Sequence, residues 1–194
     1  MSKQNDSIVD LVQEFLSRIA ARTSTPGGGC VAAVNAAEAV SLLTMVARFS
    51  TEEFAETATK LEAAQQALLK LADEDIQAFG QVIIAWDSND STKKRDASLA
   101  AAEVPKKMLH QLNDILVIVK ALAESGNQNL ISDVGHAAHL LISAYIACDL
   151  NILVNRKQLT PDDKQKYSKV LQASADSQCK LHKISDDIRK QLEN

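Results

Sequence analysis

Apolar residues recur at every fourth position near the start of the chain, at Leu11, Phe15 and Ile19, with Val12 and Leu16 filling the adjacent row. That is the helical period, and it predicts an amphipathic helix from about Asp6 to Arg22. TSTPGGG at 23–29 ends it, and the run of small apolar residues that follows predicts a second helix from about Gly29 to Phe49. So few of its positions are polar that other helices must cover most of its circumference, which makes it the expected buried central helix. Asn35 and Glu38 interrupt the run. Glu38 is therefore expected as a buried carboxylate in need of a partner or a function.

Ser50 and Glu53 have the spacing of a capping box, and the proline-free stretch from there to Trp86 predicts one long helix or two nearly collinear ones. The polar break DSNDS at 87–91 precedes a helix from about Thr92 to Ser125, closed by Gly126 and expected to kink at Pro105. GNQNLISD at 126–133 is a short polar connection, in which Ser132 or Asp133 is expected to cap a further buried helix reaching about Asn155. Thr160, Pro161, Asp162 and Asp163 then set a cap, a first-turn proline and two acids in order, starting a polar, peripheral helix to about Leu192. No stretch alternates β-branched residues between hairpin turns, and no segment repeats. The pattern predicts an all-α, single-domain helical bundle over residues 1–194.

Composition refines this picture. Hydrophobic residues make up 46% and charged residues 24%, but aromatics only 4%. With alanine abundant, the helices are expected to pack closely through small side chains. A net charge of -4 supplies no basic field, so neither nucleic acid nor an anionic membrane is an expected partner. The run from Val31 to Val46 comes nearest to a membrane span, but Asn35, Glu38 and its alanine content make it a buried bundle helix instead. Cys30, Cys148 and Cys179 are odd in number and scattered, which indicates neither disulfides nor a zinc site and fits the cytoplasm. Asp6, Asp10 and Glu14 fall where a signal peptide needs an uncharged core.

Two segments carry candidate chemistry. Gly27, Gly28 and Gly29 are half of the chain's six glycines. At a helix start they let a ligand approach the backbone, where free N–H groups and the helix dipole favour an anion or an electron-rich oxygen; the bland alternative is a tight turn between packed helices. GNQNLISD gathers Asn127, Asn129, Ser132 and Asp133 in one loop, a binding set or a helix cap with solvent-facing asparagines. His136 and His139 lie on one helical face, but nothing nearby completes a metal site. Of the triplet Asp73, Glu74 and Asp75, one or two can face inward. Lys93, Lys94 and Arg95 form a basic cluster that reads first as a solvated face.

TPGGGCVAA at 25–33, MVARFS at 45–50, LADEDIQAF at 71–79, AAEVP at 101–105, GNQNLISDVGHAAHLL at 126–141 and LNILVN at 150–155 together resemble the cyclodeaminase/cyclohydrolase family. This family includes the C-terminal domain of formiminotransferase-cyclodeaminase and short bacterial methenyltetrahydrofolate cyclohydrolases. The resemblance implies an all-helical homodimer with a folate site near the subunit interface, and no metal or redox cofactor beyond the tetrahydrofolate substrate. It implies one of two reactions, expulsion of ammonia from 5-formiminotetrahydrofolate to close the 5,10-methenyl bridge, or hydrolysis of that bridge to 10-formyltetrahydrofolate. Carried over, the substrate-binding turn falls on Pro26, Gly27, Gly28, Gly29 and Cys30, and the loop on Gly126, Asn127, Asn129, Ser132 and Asp133. Asp133, with Ser132, is the expected acid/base, and Asp75 and Asn155 the expected orienting groups. Cys30 stands where the family usually has serine, Glu38 where it has a small residue, and WDSND at 86–90 where an LPK segment is expected. Lys93 and Lys94 are then the lysines left to hold a glutamate tail. The competing reading is a helical folate binder or dimeric scaffold without turnover.

Overall fold

A computed structural model describes residues 7–194. Its helices are α1 (Ile8–Ala20), α2 (Gly28–Arg48), α3 (Ala55–Trp86), α4 (Ser91–Ser125), α5 (Ile131–Arg156) and α6 (Pro161–Glu193), with short 3-10 turns at Glu52–Phe54 and Gln128–Leu130. No strand occurs among the described residues, as the periodicity requires.

α2 lies at the centre, packed mainly against α3 and α5, while α4 and α6 complete the bundle around α5. Twelve of its 21 residues are buried, six of them alanines, and these small side chains let the neighbouring backbones come close. α3 runs back along α2: Arg48 pairs with Glu62, Gln65 donates to Ser41 Oγ at 2.6 Å, and Asp75 reaches Gly29. α5 also runs antiparallel to α2. At its start the Asn127 N–H donates to Ser50 Oγ (2.9 Å) and Asn127 Nδ2 donates to Phe49 O (2.7 Å). The glycine turn and the GNQNLISD loop therefore stand at opposite ends of α2, about 30 Å apart at 1.5 Å per residue.

Several sequence expectations are corrected. The first helix starts at Ile8, capped by Ser7 Oγ accepting from Asp10 N, and stops at Ala20; the expected start at Asp6 lies outside the described residues. Ser50 makes no capping box with Glu53, because its hydroxyl donates to Val46 O and receives Asn127 N–H, tying the end of α2 to the loop before α5. Neither Ser132 nor Asp133 caps α5, which begins one residue earlier; Asn127 Oδ1 instead accepts from Asn129 N and caps the preceding 3-10 turn. Glu38 is exposed, not buried. α6 is less peripheral than its polarity implies, since Tyr167, Leu181 and Ile188 enter the core and three buried serines serve as its small contact residues. Pro105 lies inside α4, where the sequence placed it. The Thr160 cap forms as read, with Oγ1 accepting from Asp163 N at 3.2 Å.

Candidate active site

At the N-terminus of α2 the Thr25–Pro26 peptide is cis, and Gly27 caps the helix with no side chain to satisfy the first N–H groups. A helix start leaves such donors unpaired, and the dipole adds partial positive charge. Asp75 of α3 fills the gap. A side chain on Gly29 would overlap its carboxylate, so glycine is what allows the acid to lie against this helix end. Burial pushes the Asp75 carboxyl above the usual carboxylate range, and the Cys30 backbone N–H partly offsets that by favouring the charged form. Gly28 has nothing within 4 Å of where its side chain would be, so open space adjoins the carboxylate.

Beside this turn is a cavity of about 290 Å³, whose lining includes Phe15 and Arg18 of α1, Pro26, Cys30, and Asp73 and Ile76 of α3. Arg18 places a cation near the glycine turn. In the sequence it looks like an ordinary polar-face residue; it stays exposed, and the docking of Phe15 against the core brings it to the rim of the cavity. Cys30 is buried, and burial followed by the Asp75 and Asp73 charges raises its thiol, so the nucleophilic thiolate is disfavoured.

Asn155 shares this end of the bundle: α5 comes back past Cys148, whose thiol is raised first by burial and then by Asp149 and Asp75. Asn155 Nδ2 donates to Asn151 O at 2.9 Å. Lys93 and Lys94 are farther off. Lys107, which pairs with Glu74 at 2.8 Å, marks the level of Asp75 on α4, and Lys93 is fourteen residues before it, about 21 Å along the helix. Lys94 lies over the Trp86 ring at 5.9 Å.

The structure thus brings Pro26, Gly27, Gly28, Gly29, Cys30, Asp75 and Asn155 to one end of α2. It does not bring Asn127, Asn129, Ser132 and Asp133 there within one chain. Those lie at the other end, with Ser132 exposed and Asp133 half-buried. His139 Nε2 bonds Ser185 Oγ at 2.7 Å and His136 is exposed; among the described residues no three His, Cys, Asp or Glu side chains gather as a metal site would need.

Comparison with known proteins agrees with the motifs. The Formiminotransferase-cyclodeaminase family model matches residues 11–176. A methenyltetrahydrofolate cyclohydrolase of Methylorubrum extorquens is 27% identical over 173 residues, covering 80% of this chain and 82% of that protein. A formimidoyltransferase-cyclodeaminase of Rattus norvegicus is 28% identical over 180 residues; the match takes in 83% of this chain but only 33% of the rat protein. The crystal structure of formiminotetrahydrofolate cyclodeaminase from Thermotoga maritima superposes with a TM-score of 0.84 at 28% identity, covering 99% of this chain and 98% of that one. With the family model spanning most of its length, this chain belongs to the formiminotransferase-cyclodeaminase family.

Proposed function

We propose that the chain is a folate one-carbon enzyme working at the 5,10-methenyl bridge of tetrahydrofolate, hydrolysing it to 10-formyltetrahydrofolate or closing it from 5-formiminotetrahydrofolate with release of ammonia. The observation that carries this reading is the Asp75 carboxyl held against the open glycine turn. Both reactions pass through a tetrahedral carbon between N5 and N10, so the protein's task is to move protons at that carbon. A carboxyl raised by burial takes a proton from attacking water, or gives one to departing ammonia, nearer neutral pH than an ordinary aspartate. The unpaired N–H groups of Gly28 and Gly29 supply the partial positive charge that steadies the oxygen or nitrogen developing there. Asp75, not Asp133, is therefore the proton carrier in this reading, with Asn155 orienting the ligand.

The match takes in 82% of the cyclohydrolase and 98% of the Thermotoga maritima cyclodeaminase, so the proposal spans both reactions and the assays below separate them. Lys93 and Lys94 suit the distal glutamates of a polyglutamylated folate, at a reach of about 21 Å from the reacting end. As the resemblance implies, two copies of the chain work together, which supplies the loop residues missing from this end of α2.

Loss of the methenyltetrahydrofolate absorbance band on adding pure protein tests the first reaction, and appearance of that band with ammonia from 5-formiminotetrahydrofolate tests the second. Silence in both from a folded sample would leave the scaffold reading.

A further inference from the structure

Arg48, Arg95 and Arg189 each pair with an acid, whereas Arg18, Arg22 and Arg156 form no ion pair among the described residues. The three unpaired arginines share one end of the bundle. Arg18 and Arg22 precede the glycine turn, and Arg156 is the last residue of α5, where its guanidinium donates to Ser168 Oγ at 2.8 Å. Guanidinium groups left without carboxylates at one end of an acidic chain make that end receptive to an anion.

Of the three, Arg18 lines the cavity of about 290 Å³ beside the turn. Asp73 lines the same cavity, but the two form no ion pair. Phe15, one helical turn before Arg18, is the α1 side chain that packs against the core. No α1 residue is fully buried, and Ile8, Val9, Leu11, Val12 and Leu16 all stay exposed. So slight a docking adds little to stability. Its effect is to set an aromatic ring and a free guanidinium together on one small cavity.

The three parts of folate differ in what they need from such a cavity. Val34, Leu69, Ala72 and Ile76 make its walls apolar. A pterin, with hydrogen-bonding groups along its edges, would leave donors and acceptors unpaired against them. The aminobenzoyl ring has no such groups on its faces and packs well beside Phe15. It also follows directly from the chemistry, because N10 belongs both to the methenyl bridge and to this arm. A bridge carbon at Asp75 therefore starts the arm beside the glycine turn, where Pro26 and Cys30 line the cavity. An apolar cavity of about 150 Å³ accommodates benzene, so this larger one has room for the ring and the start of the glutamate.

We propose that the cavity takes the aminobenzoylglutamate arm of the folate, with the ring against Phe15 and the α-carboxylate of the first glutamate held by Arg18. This subsite rests on the function proposed above and deepens it. Arg18 binds, and proton transfer stays with Asp75.

Anaerobic isothermal titration of tetrahydrofolate against tetrahydropteroate, which lacks the glutamate, reads the subsite without turnover. The parent is expected to bind tetrahydrofolate about tenfold or more tightly, as one charge-assisted fork allows. Arg18→Met is expected to remove that preference and leave tetrahydropteroate binding unchanged; the side chain is exposed, so the variant keeps the fold. Arg18→Lys is expected to restore only part of it, since an ammonium keeps the charge and loses the fork. Arg22→Met makes the same charge change outside the cavity and is expected to keep most of the preference. In turnover, Arg18→Met is expected to raise KM for the folate substrate about tenfold with kcat nearly unchanged. A parent without the preference overturns the proposal, and so does a preference that survives Arg18→Met or that Arg22→Met abolishes equally. If turnover proceeds while the preference ignores Arg18, the subsite fails and the function stands. If the preference depends on Arg18 and both folate assays stay silent, the reaction fails and the subsite stands.

Discussion

The Asp75 carboxylate occupies the volume that a side chain on Gly29 would fill. The Gly29→Ala change is expected to push that acid off the helix end, costing about 1–3 kcal/mol by overpacking and most of the turnover. Gly28→Ala, with open space beside it, is expected to keep the stability of the parent and to raise KM by crowding the ligand. Urea unfolding and steady-state kinetics on the two variants check this contrast. Equal stability losses would mean that the glycines serve only the turn.

Asp75→Asn separates chemistry from folding. Loss of the proton carrier is expected to lower turnover roughly 10²-fold or more, with less effect on KM. The stability effect has the opposite sign. Because burial raises the Asp75 carboxyl, the native state holds its proton more tightly than the unfolded chain, and ionising it in place costs stability as pH rises past the ordinary carboxylate range. The amide removes that cost. Its gain in Tm over the parent is expected to be largest at pH 7 and to fade below about pH 4, where both states of the parent are protonated. A variant that loses Tm at pH 7 would contradict this account.

Helix positions were legible in the sequence because apolar periodicity survives wherever one face of a helix is covered. The reversals all concern tertiary partners. Glu38 looked buried because its neighbours Ala37 and Ala39 are, yet a one-residue step turns a helix by about 100° and carries the side chain to the open face. Ser50 looked like a cap because spacing cannot reveal that Asn127, seventy-seven residues later, would claim its hydroxyl. The glycine turn read equally as a ligand approach or a packed turn, and the sequence could not tell which acid of the Asp73–Asp75 triplet α3 delivers to Gly29. α6 seemed peripheral because its buried face is built from serines and the hydrogen bonds they make, which hydrophobic patterning does not register.

Those bonds hold α6 to the bundle. Tyr145 OH and Ser177 Oγ both donate to Asn113 Oδ1 at 2.8 Å, joining α4, α5 and α6 at one atom, with Tyr145 fully buried. Asn113→Ala strands both hydroxyls in the core and is expected to cost about 2 kcal/mol or more. Chemical denaturation measures it, with early loss of hydrogen-exchange protection expected in α6. A change within about 0.5 kcal/mol would mean that water or a local shift replaces the acceptor.

The separation of the two motif segments along α2 gives the most decisive expectation. If each working site combines Asp75 of one copy with Asp133 of the other, Asp75→Asn and Asp133→Asn subunits are each inactive in homodimers. In a mixed dimer both substitutions fall on one site and the other site is wild type. Random mixing makes half of the dimers mixed, each with one good site, so about a quarter of the parent activity is expected to return. Unfolding and refolding the two variants together, against each refolded alone, provides the measurement. If both acids served a site within one chain, every site in every dimer would carry a defect and mixing would restore nothing. The Asp75→Asn variant mixed with wild type supplies the control for subunit exchange, since activity should then fall in proportion to the wild-type share and no faster.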